Sequence, residues 1–268
     1  MISLHRGRGV LHVDPVAGGR VAQLTVDGLE MLLDGRGPGI HWGCFVMAPW
    51  VGRVRHGRFA YGGAHYELPT HISPPHAIHG TVLERPWSVV NAADASVVLE
   101  CSLGDRWPWS GRVRHTVSLD DDVAEFRIEV HAEDEPFPAA AGWHPWFRRR
   151  LAAGAPVEIG LDASTMLVRD GDGIPSSERV PVPTGPWDDC FDGVRWPVTL
   201  TWPGALRLEV QADTRYVVVY DQPEHTVCVE PQTGPPDAPT LEPVIVPPGH
   251  PLTATMSWHW TDHRPSLA

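Results

Sequence analysis

The 28 prolines and 26 glycines are spread along all 268 residues rather than gathered in tails. Proline inside a helix removes a backbone donor and clashes with the preceding turn, and glycine there costs about 1 kcal/mol relative to alanine. No window between them holds an amphipathic helix of useful length. What survives is short and alternating. Phe126, Ile128 and Val130 sit among Glu125, Arg127 and Glu129, the period of a half-buried strand. Val113, His115, Val117 and Leu119 alternate likewise and run into Asp120-Asp121-Asp122, so the two runs predict a hairpin. Leu206, Leu208 and Val210 alternate again, whereas 216–220 (YVVVY) and 226–230 (TVCVE) read as strands buried on both faces. Residues 58–68 predict a second hairpin, with Gly62-Gly63 supplying the positive φ angles of a tight turn. Many short strands between turn clusters predict an all-β sandwich or barrel.

No linker or internal repeat divides the chain, and β-sandwiches and barrels commonly reach this length as one domain, so residues 1–268 are expected to form a single domain. The proline-rich stretches 174–186 and 231–248 are expected to be long loops, and 262–268 a frayed end. The balance of 21 Lys plus Arg against 33 Asp plus Glu, a formal charge of −12, disfavours nucleic acid, which needs clustered cations. Cys44, Cys101, Cys190 and Cys228 are scattered with no CxxC pair, unlike a secreted disulfide framework or a zinc knuckle. Residues 1–30 lack an uninterrupted apolar stretch, and no later segment is apolar for long enough to span a bilayer. The expectation is a cytoplasmic protein without a membrane partner. Twelve Trp and fifteen His stand out. Aromatic plates beside hydrogen-bonding groups suit sugars, which have apolar faces and polar edges, although core packing also accounts for tryptophan.

Titratable and aromatic residues concentrate beside Pro or Gly in 49–59 (PWVGRVRHGRF), 76–80 (HAIHG), 142–147 (GWHPWF), 187–191 (WDDCF) and 228–238 (CVEPQTGPPDA). Taken singly, His79 fits a loop histidine, Arg53 a surface ion pair, His144 a buried ring donating to a carbonyl, and Asp188-Asp189 a turn cap. Glu230 differs. It follows an apolar strand, where an unpaired carboxylate is costly and needs a partner or a task.

Together, and in this order, these segments resemble the aldose 1-epimerase (galactose mutarotase) family over roughly residues 40–260. The family's P-x-x-N-R-I and G-x-F segment is similar to Pro49–Phe59, its L-H-G motif to Ile78-His79-Gly80, and a following tryptophan to Trp87. Its G-x-H-P-Y-F motif is similar to 142–147, its D-H-x-F segment to Asp188–Phe191, and its late glutamate segment to Val229–Thr233. The resemblance implies a large antiparallel β-sandwich of the galactose mutarotase-like supersandwich type, with a sugar bound on one face. It also implies Glu230 and His144 as an acid–base pair, with Arg53, His79, Asp188, Trp143 and Gln232 as substrate contacts. Three positions depart from the pattern: Gly52 stands for Asn, Asp189 for His beside Asp188, and Trp146 for Tyr.

Anomer interconversion needs a proton to leave the C1 hydroxyl and another to reach the ring oxygen, with roles then reversed. Glu230 is expected to take the first, and His144, held protonated, to deliver the second, while His79 and Arg53 contact the oxygens and Asp188, with Asp189 as the alternative, orients the ring. No cofactor or metal is required, and His71, His76 and His79 lack a zinc-type spacing. Within the same fold, a hexose-6-phosphate 1-epimerase would need cations for the phosphate, for which Arg55, Arg58 and 148–150 are available. A non-catalytic sugar-binding protein is the reading from another class, and a cupin-like metalloenzyme a third. The expected partner is a small sugar; oligomeric state is not legible.

Overall fold

A computed structural model describes residues 1–36 and 39–264. Two antiparallel sheets dominate. The larger, of eleven strands, runs in the order Ile2–Arg6, Gly9–Asp14, Arg20–Val26, Cys44–Met47, Gly142–Arg148, Thr226–Gln232, Tyr216–Tyr220, Asp188–Val194, Ala163–Arg169, Pro175–Val180, with Leu29–Glu30 beside Arg20–Val26. The smaller, of eight, runs Ser88–Ala93, Ser96–Ser102, Gly111–Asp120, Val123–Ala132, Leu252–Asp262, Leu206–Ala212, Val198–Trp202, Glu158–Gly160. The all-β sandwich expectation is met.

The alternating runs pair as their pattern requires. Gly111–Asp120 joins Val123–Ala132 with Val117 opposite Phe126 and Asp120 opposite Val123. The second hairpin, Arg58–Tyr61 with Ala64–Glu67, turns on Gly62 and Gly63 at φ 58° and 81°. Two proline-rich stretches are more ordered than expected. Pro175–Val180 is an edge strand, where a missing N–H is tolerated, and 231–248 contains a one-turn helix, Ala238–Leu241, and the strand Val244–Val246. The frayed end is also shorter than expected: Asp262 closes the last strand and Arg264 pairs with Asp27 at 3.1 Å, while 265–268 lie outside the described residues.

The core fills the space between the sheets. Val217, Val219, Val227, Val229 and Phe147 of the larger sheet meet Val117, Phe126, Ile128, Leu208 and Trp258 of the smaller. Trp258 bridges them, with ring centroids 4.6 Å from Phe126 and 5.2 Å from Phe147. Each such buried side chain contributes roughly 1.5–3 kcal/mol. Period-two geometry then leaves Thr226, Cys228, Glu230 and Gln232 on the outer face of the larger sheet, opposite Val227 and Val229. That face is buried too, beneath loops.

The same alternation corrects one expected sugar contact. Trp143 is fully buried in the inter-sheet core, and its Nε1 donates to His115 Nε2 at 3.2 Å. Since tryptophan only donates, His115 must carry its proton on Nδ1, which faces the Gly19 carbonyl at 3.4 Å. Burial pushes the His115 imidazole down to about 4 from the usual 6.5. Between those values an unfolded chain binds a proton that the native one does not. Stability therefore rises with pH through this window and is lost as pH falls from 6.5 toward 4, by on the order of 3 kcal/mol from this one ring. His115→Gln, which still accepts from Trp143 without titrating, is expected to flatten that part of the pH dependence in urea unfolding. An unchanged slope would contradict the buried neutral imidazole.

Candidate active site

A cleft of about 220 Å³ opens on the outer face of the larger sheet. Its floor follows from strand register. Cys190 lies opposite Val218, and Val218 opposite Glu230. Gly142 pairs with Gln232 and Trp146 with Cys228, which sets His144 level with Glu230, and His144 pairs on its other side with Phe45. Two residues from distant parts of the chain are thereby locked side by side: His144 Nε2 is 3.2 Å from Glu230 Oε1. Gln232, two residues along the same face, donates from Nε2 to Glu230 Oε2 at 3.2 Å.

The histidine is clamped between aromatic rings. Phe45 stacks on one side with centroids 4.9 Å apart and Trp146 on the other at 5.0 Å, while His79 meets it edge-on at 4.9 Å. His79 reaches this position from a left-handed residue, φ 61°, just after the short pairing of Arg53 with Ile78. Trp146 rather than Trp143 is the tryptophan in the cleft, as expected of a residue two positions from His144.

Electrostatics at the floor are governed by burial. It drives Glu230 well above the usual carboxylate range, helped by the charge of Asp188 and opposed by Gln232 and Arg53. It drives His144 well below the usual imidazole range, reinforced by His79 and His41. His79 is pushed down to about 3 by burial and by Arg53 and His41. Burial thus works against the protonated histidine expected at His144. Charge on either partner alone is disfavoured by burial, and the two face each other across the 3.2 Å contact. Buried polar atoms without a protein partner cluster here: Nδ1 of His79 and His144, Oε1 of Gln232 and Nε1 of Trp146. Unpaired buried donors and acceptors are costly and mark where a polar ligand would be held.

The walls carry the remaining expected residues. Arg53 lines the cleft and makes no ion pair among the described residues. Asp188 and Asp189 both line it, gripped by Arg169 at 3.0 and 2.9 Å, and Asp188 is the one whose field reaches Glu230. Of the named positions, Glu230, His144, Arg53, His79, Asp188 and Gln232 share this cleft, and Trp143 does not. Residues not anticipated are His41, Arg169 and Tyr220. His41 is brought in by a loop that Arg20 clamps from behind, donating to the Gly39 carbonyl at 2.8 Å and that of Trp42 at 3.1 Å. No sequence motif marks that loop.

His71, His76 and His79 do not converge: His71 bonds Glu84 at 2.7 Å, and His76 accepts from the His56 N–H at 3.1 Å. Among the described residues the group able to ligate a metal is instead His144, Cys228 and Glu230.

The family model described as aldose 1-epimerase matches residues 1–259. The chain is 25% identical over 251 residues to the uncharacterized protein YihR of Escherichia coli strain K12, covering 82% of this chain and 80% of that one. Among solved structures, a galactose mutarotase-like protein from Clostridium acetobutylicum superposes with TM-score 0.84 at 16% identity, over 97% of this chain and 94% of that one. A galactose 1-epimerase from Lactobacillus acidophilus NCFM does so with TM-score 0.80 at 16% identity, over 96% and 92%. At these identities the structural likenesses establish the shared fold.

Gly52, one of the departures from the family pattern, has φ +55°, and a Cβ there would lie 2.6 Å from Pro236 Cβ. Gly52→Ala is expected to cost about 1–3 kcal/mol through backbone strain alone. An unchanged urea midpoint would contradict the contact of this turn with the 233–243 loop.

Proposed function

Because the chain belongs to the aldose 1-epimerase family, we propose that it interconverts the α and β anomers of a free aldohexose. The observation that carries this reading is the buried His144–Glu230 contact at 3.2 Å in a cleft of about 220 Å³. With the mobile proton on His144, Glu230 takes the C1 hydroxyl proton as the C1–O5 bond breaks, and His144 gives its proton to O5. The products are the open-chain aldehyde, a protonated Glu230 and a neutral His144. After the carbonyl turns about C1–C2 the same two groups run in reverse: His144 recovers the proton from the O5 hydroxyl and Glu230 returns one to the carbonyl oxygen as the ring closes. The pair ends as it began, so no external acid or base is consumed. Arg53 and His79, which line the cleft, would bond the ring and neighbouring oxygens, and Asp188 would accept from a hydroxyl.

Charge balance favours an unphosphorylated sugar. With the His144–Glu230 pair neutral as a unit, two carboxylates, Asp188 and Asp189, offset the two guanidinium groups that line the cleft, Arg53 and Arg169, and Arg169 is already engaged by both aspartates, so no excess of cations is left for a phosphate. None of the arginines named for a phosphate, Arg55, Arg58 and 148–150, lines the cleft, and four of them are committed elsewhere. Arg55 pairs with Asp170 and Asp172, Arg58 with Glu67, Arg148 with Glu30 and Asp34, and Arg149 with backbone carbonyls.

Positioned acid–base groups contribute about 10²–10⁴-fold each. Glu230→Gln and His144→Asn are each expected to slow anomer exchange, followed by NMR on freshly dissolved α-D-galactose or α-D-glucose, by at least about 100-fold without unfolding. Wild-type exchange rates in either variant would remove the mechanism. Faster turnover of glucose 6-phosphate than of glucose by the unmodified protein would overturn the choice of substrate.

A further inference from the structure

We propose that the cleft floor is also a binding site for a soft divalent cation such as Zn²⁺, formed where register sets Cys228 beside the His144–Glu230 pair. Cys228 lies two residues from Glu230 on the same strand face and directly opposite Trp146 on the neighbouring strand. It has no part in the proton transfers described above. One ligand atom from each of His144, Cys228 and Glu230 lies within 4.8 Å of the other two, and the three residues are 5%, 0% and 3% exposed. Zinc bonds to nitrogen, oxygen and sulfur span about 2.0–2.3 Å, which places tetrahedral ligand atoms roughly 3.3–3.8 Å apart. Side-chain rotations of about 1 Å therefore close the set around a metal.

Charge and ligand chemistry agree. A thiolate, a carboxylate and a neutral imidazole sum to two negative charges, so a divalent cation makes a neutral assembly in a place that tolerates no isolated charge. Sulfur and imidazole select Zn²⁺ or Co²⁺ over Mg²⁺ or Ca²⁺. Three protein ligands leave a fourth position open, and two of the three, His144 and Glu230, line the cleft. Cys190, the cysteine that itself lines the cleft wall, falls outside the set. A bound metal would occupy both groups of the proton-transfer pair, so it would act as an inhibitor of sugar chemistry here rather than as its cofactor.

The test reads binding and needs no turnover, so its outcome is separable from that of the mutarotase reading. Metal-free full-length protein is titrated with Zn²⁺ by calorimetry and with Co²⁺ by absorbance. The expected result is one metal per chain, with a sulfur-to-cobalt charge-transfer band in the near ultraviolet. Losing an outer-shell partner of a metal site typically costs 10–100-fold in affinity, so Cys228→Ser, which removes a direct ligand, should weaken Zn²⁺ binding by at least about 100-fold and abolish the band. Cys190→Ser should keep both. Three results would overturn the proposal: no one-to-one Zn²⁺ isotherm with the unmodified protein, Co²⁺ binding without the sulfur band, or Cys228→Ser binding Zn²⁺ within tenfold of the unmodified chain. The first two use only the native sequence and do not depend on the variant folding.

Discussion

The burial of a carboxyl group against an imidazole, on the outer face of an eleven-stranded sheet, is the constraint on which the rest of the cleft depends. Neither group could be charged alone there without a cost of several kcal/mol. In the proposed mechanism they act together as a neutral unit that holds one mobile proton, which is what reversible ring opening requires of an acid and a base. The aromatic clamp of Phe45 and Trp146 supplies the low-dielectric surroundings. His79 and His41 add to the pressure against a lone imidazolium.

Holding that pair is the work of the sheet and its covering loops. Register, fixed by the alternation of Val227 and Val229 into the core, decides that Glu230 faces outward and meets His144 from another strand. A one-residue slip of the Thr226–Gln232 strand would turn Glu230 to the wrong side and part it from His144. Above the floor, the 233–243 loop braces the Arg53 turn. Asp237 N donates to the Arg53 carbonyl at 2.7 Å, Asp237 Oδ1 accepts from Arg55 N at 3.3 Å, and Pro236 packs on Gly52. The loop is anchored beyond the cleft by Glu242, which accepts from Tyr216 Oη at 2.6 Å and from Arg179 at 2.9 Å. On the opposite side, Arg20, wholly buried, fixes the segment that presents His41.

How much of this was legible in the sequence depended on whether the determining interaction was local. The hairpin at 111–132 and the Gly62-Gly63 turn were readable because period-two alternation and positive φ are properties of neighbouring residues. Glu230 was conspicuous as a carboxylate ending an apolar strand. His144 was not conspicuous without the family motifs, because its partner lies 86 positions away and only strand order joins them. Trp143 shows what alternation adds to a motif: in the segment 142–147 only every second residue can reach the cleft, and His144 with Trp146 exhausts the choice. Gln232 obeys the same rule relative to Glu230. Arg169 and His41 carry no local signal, since one is recruited by pairing with Asp188 and Asp189 and the other by a loop tied to Arg20. The ordered pieces of 174–186 and 231–248 carry no clear sequence signal because proline masks strand propensity at sheet edges.

The shared-proton account is tested most directly by the pH dependence of kcat/KM for anomer exchange, which reports the ionisations of the free protein. Activity requires the pair to hold one mobile proton. A second proton is added only below the usual imidazole value of 6.5, because burial lowers His144, and the last is lost only well above the usual carboxylate value of 4.5, because burial raises Glu230. The account predicts an acid limb that lies clearly below pH 6.5. An acid limb at or above pH 6.5 would mean an ordinary, solvated histidine and would contradict it.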